Sequence, residues 1–163
     1  MMNKLKGLIA TVMLMSSSTF AQSVQFNQVY SLDSQSARTL TDAAVTACQK
    51  IQHNIAVVVV DRGGNTLMAN RHETVGPHNL GAAEKKAYTA LSTKTATMLL
   101  SQNANENKDA KNLTTLSNLL LLGGGLPVRY ENQVVGAIGV AGAGGAKNDH
   151  YCAETAVKSI FNP

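Results

Sequence analysis

A histidine at the start of a predicted helix is the residue best placed to coordinate a metal ion. His78 follows Pro77, and proline is favoured in the first turn of a helix, where its missing N–H would have no partner. Because His78 does not belong to an apolar helical face, its neutral imidazole could project toward a cleft and bind iron. The alternative is a solvent-exposed histidine that only begins the helix. We take His78 as the candidate metal ligand.

Two lysines and a tyrosine follow on the same predicted helix. In the string EKKAYTA, Lys85 and Lys86 supply positive charge for the carboxylates of a ligand, and Tyr88 offers an amphipathic ring. The alternative is that one lysine is a solvated surface charge and that Tyr88 belongs to the core. We expect Lys85 to be the surface charge and leave Lys86 open between the two roles. Lys86 and Tyr88 join the candidate binding residues.

The other histidines and the cysteines give weaker signals. His53, His72 and His150 each lie beside a predicted chain reversal, so we expect surface residues that remain reserve ligands. Neither Cys48 nor Cys152 has a second cysteine at ligand spacing, which argues against a zinc site. Both cysteines lie in predicted helices, where they form either a disulfide or two buried thiols.

Glycines are concentrated in one part of the chain. Eight of the 13 glycines lie between Gly123 and Gly145, interleaved with β-branched residues, which is typical of packed strands joined by tight turns. Their order matches neither a phosphate-binding loop nor a dinucleotide fingerprint, and no G-x-S-x-G elbow is present. The triple glycine centred on Gly124 would let the backbone approach a planar ligand or a second subunit closely. Gly124 is therefore the fourth candidate binding residue.

Hydrophobic periodicity places these residues on helices and strands. The predicted elements, in chain order, are a helix at 33–52, strands at 55–60 and 66–71, helices at 77–91 and 93–102, strands at 119–122, 126–130 and 133–141, and a helix at 149–161. The continuous apolar run 55–60 predicts a strand buried on both faces. Asp149 is the expected N-cap of the last helix. This order predicts an α+β fold with a five-stranded antiparallel sheet flanked by helices.

The first 21 residues have the order of a secretory signal peptide. Lys4 and Lys6 precede an apolar run at 8–15, and small residues then lead up to Ala21. The run is shorter than the roughly 20 residues that a membrane-spanning helix needs. We expect cleavage after Ala21, a single domain at 22–163 without an integral membrane segment, and a periplasmic or secreted location. Removal of the two lysines lowers the net charge from +4 to +2, and no basic stripe indicates nucleic-acid binding.

Five strings resemble a known family in sequence and in order. They are AVVVVDRGGNTLMANR, PHNLGAAEKKAYTA, GGGLPV, VVGAIGVAG and DHYCAETAV. The chain thereby resembles the GlcG/HbpS family of haem-binding-like domains, which also occurs at the C-terminus of PduO-type proteins. The resemblance covers nearly all of residues 32–161.

The resemblance implies a profilin-like fold and a closed homo-oligomer, often an octamer. It also implies haem, or a related tetrapyrrole, as the ligand of His78, Lys86, Tyr88 and Gly124, although a hydroxyl residue binds the iron in some members. An exported member communicates with a membrane sensor kinase, and activity on haem has been attributed to it. We therefore expect an exported haem-binding protein in haem or iron sensing or handling. The alternatives are a haem-degrading or other small-molecule enzyme, whose acid, base and nucleophile the sequence does not identify, and an oligomeric accessory partner of a sensor system.

Overall fold

A computed structural model describes residues 24–161 of the 163-residue chain. Its elements are α1 (Ser34–Lys50), β1 (Ala56–Asp61), β2 (Thr66–Arg71), α2 (His78–Thr93), α3 (Thr97–Glu106), α4 (Lys108–Lys111), a 3-10 turn (Asn112–Thr115), β3 (Gly125–Tyr130), β4 (Gln133–Ala141) and α5 (Ala146–Phe161). The expected signal peptide lies outside the described residues. No helix within residues 24–161 is long and apolar enough to cross a membrane.

The strands form one antiparallel sheet in the order β2-β1-β4-β3. Helix α2 packs on one face of this sheet, and α1 and α5 pack together on the other. The α+β class and the flanking helices are therefore confirmed. In the centre of the sheet, β1 is buried on both faces from Ala56 to Val60, as its apolar sequence predicts.

The predicted fifth strand is wrong, because 119–122 forms an irregular segment beside α2 and α3. The backbone N–H of Leu120 donates to the Thr89 hydroxyl at 2.8 Å. The hydroxyl of Thr97 donates to the Leu122 carbonyl at 2.7 Å. Helix side chains thus satisfy backbone groups that a strand would pair within a sheet. The sheet of the described residues has four strands.

Helix α2 approaches the sheet closely because the two surfaces that meet are made of alanine and glycine. Its buried side includes Ala83, Ala87 and Ala90, and the strand beneath it presents Gly139. A Cβ atom on Gly139 would lie 1.9 Å from the Ala83 carbonyl oxygen, a distance no side chain can occupy. Only glycine fits there, which explains the glycine-rich sequence of β4.

A disulfide joins the two helices on the opposite face. Cys48 near the end of α1 bonds to Cys152 in α5, with the Cα atoms 5.2 Å apart. Both cysteines are fully buried. Of the two alternatives left open by the sequence, the structure has the disulfide, which ties the beginning of the domain to its end across 104 residues.

Candidate functional site

The four predicted binding residues lie in two different environments. Lys86 and Gly124 are buried beneath α2, whereas His78 is exposed and Tyr88 half-buried on the solvent side of that helix. The reason is helical geometry, because Lys86 and Tyr88 are two residues apart and point to nearly opposite sides. The structure therefore does not bring the four residues together in one site.

Lys86 is held in a buried ion pair. Its side chain is 1% exposed, and its Nζ donates to Asp149 Oδ2 at 2.8 Å and to the Val140 carbonyl at 3.0 Å. The other carboxylate oxygen of Asp149 accepts from the Ala143 N–H at 2.8 Å. Burial lowers the pKa of Lys86 below its usual range, and the attraction of Asp149 offsets part of that effect. The pair connects α2, the end of β4 and α5 across the core.

The expectation that Asp149 is the N-cap of the last helix is wrong. Helix α5 begins three residues earlier, at Ala146, and Asp149 lies in its first turn. Its carboxylate points inward to Lys86, because the buried ammonium group needs a counter-charge. The lysine left open by the sequence is thus the internal one, and Lys85 is the exposed surface charge that we expected.

Gly124 allows a close approach within the protein itself. Its φ is +121°, and a Cβ atom would lie 2.4 Å from the Val140 carbonyl oxygen and 3.1 Å from Lys86 Nζ. The glycine therefore makes room for the Lys86 ion pair. Ligand binding by Gly124 and Lys86 stays a prediction from the resemblance.

His78 and Tyr88 belong to one surface, which we call the outer face of α2 and define as His78, Gly81, Lys85 and Tyr88. Spacings of three, four and three residues place them along one side of the helix. His78 and Tyr88 are separated by about 15 Å along the helix axis, from a rise of 1.5 Å per residue. A Cβ atom on Gly81 would meet nothing within 4 Å, so this face is flat and open between the histidine and Lys85.

Tyr88 separates two clefts at the far end of this face. The first has a volume of about 400 Å³ and contains Arg62, Lys94 and Arg129, and we call it the basic cleft. The second has a volume of about 360 Å³ and is lined by Val60, Gly64, Glu84, Lys85, Tyr88 and Asn118. The outer face of α2 therefore combines an imidazole, a phenol and the cation of Lys85, and it ends beside the basic cleft.

The reserve histidines are partly buried, and His53 and His72 line one small cleft of about 180 Å³. The His72 imidazole is 2.8 Å from the Thr74 hydroxyl and 3.6 Å from Glu73, while His53 lies 3.4 Å from the Asn148 amide. His150 has a buried Nδ1 without a hydrogen-bond partner among the described residues. Within residues 24–161, no three His, Cys, Asp or Glu side chains gather as a metal site.

Sequence reasoning missed the basic cleft and the partner of Lys86. Arg62 lies in the β1–β2 turn, Lys94 follows α2, and Arg129 is on β3, so no local motif connects them. Asp149 is 63 residues from Lys86, and its pairing depends on the packing of α5 beside the sheet. Neither arrangement has a signal at a fixed sequence spacing.

Comparison with known proteins gives consistent matches. A family model described as "Haem degrading protein HbpS-like" matches residues 32–158. Protein GlcG of Escherichia coli (strain K12) is 30% identical over 110 residues, which are 68% of this chain and 81% of that protein.

Two solved structures share the fold over most of the chain. A double mutant of HbpS from Streptomyces reticuli superposes with a TM-score of 0.78 and 32% identity, covering 90% of this chain and 98% of that one. A PduOC:heme complex superposes with a TM-score of 0.71 and 28% identity, covering 80% of this chain and 95% of that one.

Proposed function

The chain belongs to the HbpS-like family, and on this premise we propose that it binds haem or a closely related tetrapyrrole. The observation that carries the proposal is the outer face of α2, where a histidine, an open glycine position, a lysine and a tyrosine succeed one another. The solved haem complex of PduOC, which has the same fold, supports it.

The residues on this face fit the chemistry of haem. His78 is exposed and offers an imidazole nitrogen for iron, and Gly81 leaves the adjoining surface free of side chains. Lys85 is exposed and follows His78 by seven residues, which is about 10 Å along the helix axis at 1.5 Å per residue. Its ammonium group can pair with a carboxylate of the macrocycle. Tyr88 provides an aromatic ring for packing. When bound, haem would supply a redox-active iron, while these side chains orient it.

Titration with haemin tests this function. The oxidised protein should shift the Soret band of haemin with saturation at one stoichiometry. The variant His78→Ala should change that spectrum or weaken binding well beyond His150→Ala, because His150 lies on α5 across the sheet. An unchanged spectrum and affinity in His78→Ala, together with a loss in another histidine or a hydroxyl variant, would reject His78 as ligand. Absence of any Soret shift would reject haem binding altogether.

Haem degradation is a second candidate, because the matched family is described as haem degrading. The same complex, supplied with a reductant and air, should then lose its Soret band faster than free haemin with an equal amount of reductant. Equal rates of Soret loss with and without the protein would reject haem degradation and leave haem binding as the proposed function. The position of His78 at an open surface leaves room for a second reactant beside the iron.

Export to an oxidising compartment is part of the proposal. The charged, apolar and small-residue order of the first 21 residues supports it, and the Cys48–Cys152 disulfide is of the kind that persists outside the cytoplasm. Protein recovered from the periplasm or medium should begin at Gln22. An intact mass that retains Met1 on the exported protein would exclude cleavage at this position.

We also propose that the chain forms a closed homo-oligomer, with an octamer as the expected size from the family. The sheet has two edges, β2 and β3, and Gly144 and Gly145 are exposed beside α5, where a second backbone can approach. A membrane sensor kinase is the proposed partner of that assembly. Light scattering at micromolar concentration should give a mass several times that of the chain, and a monomer mass alone would reject assembly.

A further inference from the structure

We propose that the basic cleft is a second binding site, separate from the iron-ligating position, and that it takes a small organic dicarboxylate. The cleft lies between the β1–β2 turn, the end of α2 and the β3–β4 hairpin. His78 begins α2 and Lys94 immediately follows its end. A helix of 16 residues is about 24 Å long, so the two positions are a full helix length apart.

Charge is the first argument for an anionic ligand. Arg62, Lys94 and Arg129 line a cavity of about 400 Å³ whose lining contains no carboxylate. The ion pairs in the described part of the chain are His72–Glu73, Lys86–Asp149 and Lys158–Glu154. Within that part, none of the three cations of the cleft forms an ion pair with a carboxylate. The nearest acidic neighbour in sequence, Asp61, accepts hydrogen bonds from Gly63 and Asn65 in its own turn. Three like charges around one cavity attract a ligand of at least two negative charges.

The two guanidinium groups are held in place by uncharged acceptors, which is the second argument. Arg62 Nη1 donates to Gln133 Oε1 at 2.9 Å, and Arg129 Nη2 donates to the Lys94 carbonyl at 2.7 Å. The latter contact neutralises a carbonyl at the negative end of α2, which would otherwise repel an anion. Each guanidinium keeps further N–H groups for a ligand, and guanidinium groups match carboxylates in a two-point geometry.

The residue at the end of α2 is the third argument. Lys94 is the C-cap of that helix, with a φ of +54° in the left-handed region that glycine usually occupies at a helix end. Here the position has a lysine, and it is among the residues that line the cleft. Tyr88, Leu91 and Val134 complete the lining with apolar surface for a short carbon chain between two carboxylates.

Calorimetric titration with succinate, with butyrate as the matched monocarboxylate, tests the proposal on the haem-free protein. Succinate should bind at least about fivefold more tightly, because its second carboxylate gains one more cation contact. The variants Lys94→Gln and Arg129→Gln should each weaken succinate binding about fivefold. Arg38→Gln, which removes an equal charge from the exposed surface of α1 on the other side of the sheet, should leave binding unchanged.

Three outcomes would overturn the proposal. Equal affinity for butyrate and succinate would show that the cleft does not select two carboxylates. Equal affinity for inorganic phosphate would show general attraction of anions. Losses in Arg38→Gln as large as those in Lys94→Gln and Arg129→Gln would show a net-charge effect. Because the titration uses no haem, a failure of succinate to bind would reject the cleft proposal and leave the proposal of haem binding at the outer face of α2 standing.

Discussion

Removing the charge of Lys86 while keeping the length of its side chain tests how the core is held together. Lys86 is 1% exposed, and its ammonium group has two acceptors, on Asp149 and Val140. In Lys86→Met the carboxylate of Asp149 would stay buried with only the Ala143 N–H as partner. Breaking one side of a buried ion pair costs about 3–5 kcal/mol, a large part of the roughly 5–15 kcal/mol by which a domain is stable.

Urea unfolding of the oxidised protein measures this cost. Lys85→Met is the matched control, because it removes the same charge from the exposed neighbouring position and should change the free energy of unfolding by less than about 0.5 kcal/mol. Asp149→Asn should also be strongly destabilising. The double variant should recover about 1–3 kcal/mol relative to the sum of the single changes, since neither charge is then left alone. If Lys86→Met costs no more than Lys85→Met, or if the two single effects simply add, the ion pair is not the contact that stabilises this junction.

Three further predictions concern other parts of the molecule. Reduction of the Cys48–Cys152 disulfide should lower the free energy of unfolding by about 2–5 kcal/mol, and two free thiols in the denatured, unreduced protein would contradict the bond. Gly139→Ala should destabilise the domain by about 2 kcal/mol or more, because the new Cβ atom meets the backbone of α2. Gly81→Ala should instead stabilise it by about 1 kcal/mol, since the Cβ atom there has free space. Equal shifts of the melting temperature in the two variants would refute the packing argument. Hydrogen bonding from Ser36 lowers the pKa of Asp33. The contribution of this carboxylate to stability is therefore present above the ordinary pKa of 3.8 and is lost as the pH falls below it. Asp33→Asn keeps the cap, and an unchanged acid-unfolding profile in that variant would contradict the role of this carboxylate.

Local patterns predicted most of the regular elements. The β1 run and the turn after it, β2, β4 and the helical face of α1 all occur where the sequence pattern placed them, because residue type and spacing within each segment are enough to indicate them. The segment 119–122 has the composition of a strand but lies beside α2. There the Thr89 hydroxyl accepts a hydrogen bond from one of its backbone N–H groups. That choice depends on tertiary contacts, which no window of the sequence contains.

The candidate site was predicted less completely than the fold. The sequence predicted a binding role for α2 and placed Lys86 rather than Lys85 among the candidate binding residues, and the structure shows that Lys86 is buried. Charge alone does not distinguish two adjacent lysines in a sequence. Which of them is buried depends on Asp149, which is 63 residues away. The three cations of the basic cleft come from three separate segments, so their meeting is a property of the fold alone.

The glycine and alanine contact between β4 and α2 separates the side of the helix that contributes to stability from the side that faces solvent. The core uses mainly methyl groups and bare backbone from α2, so the larger side chains on its solvent side can change with little effect on folding. A protein with this arrangement can diverge in what it binds while its architecture stays the same. Mutational scanning should accordingly find a sharp boundary along one helix, with Ala83 and Ala87 intolerant of any enlargement and the exposed positions between them, Glu84 and Lys85, accepting most amino acids.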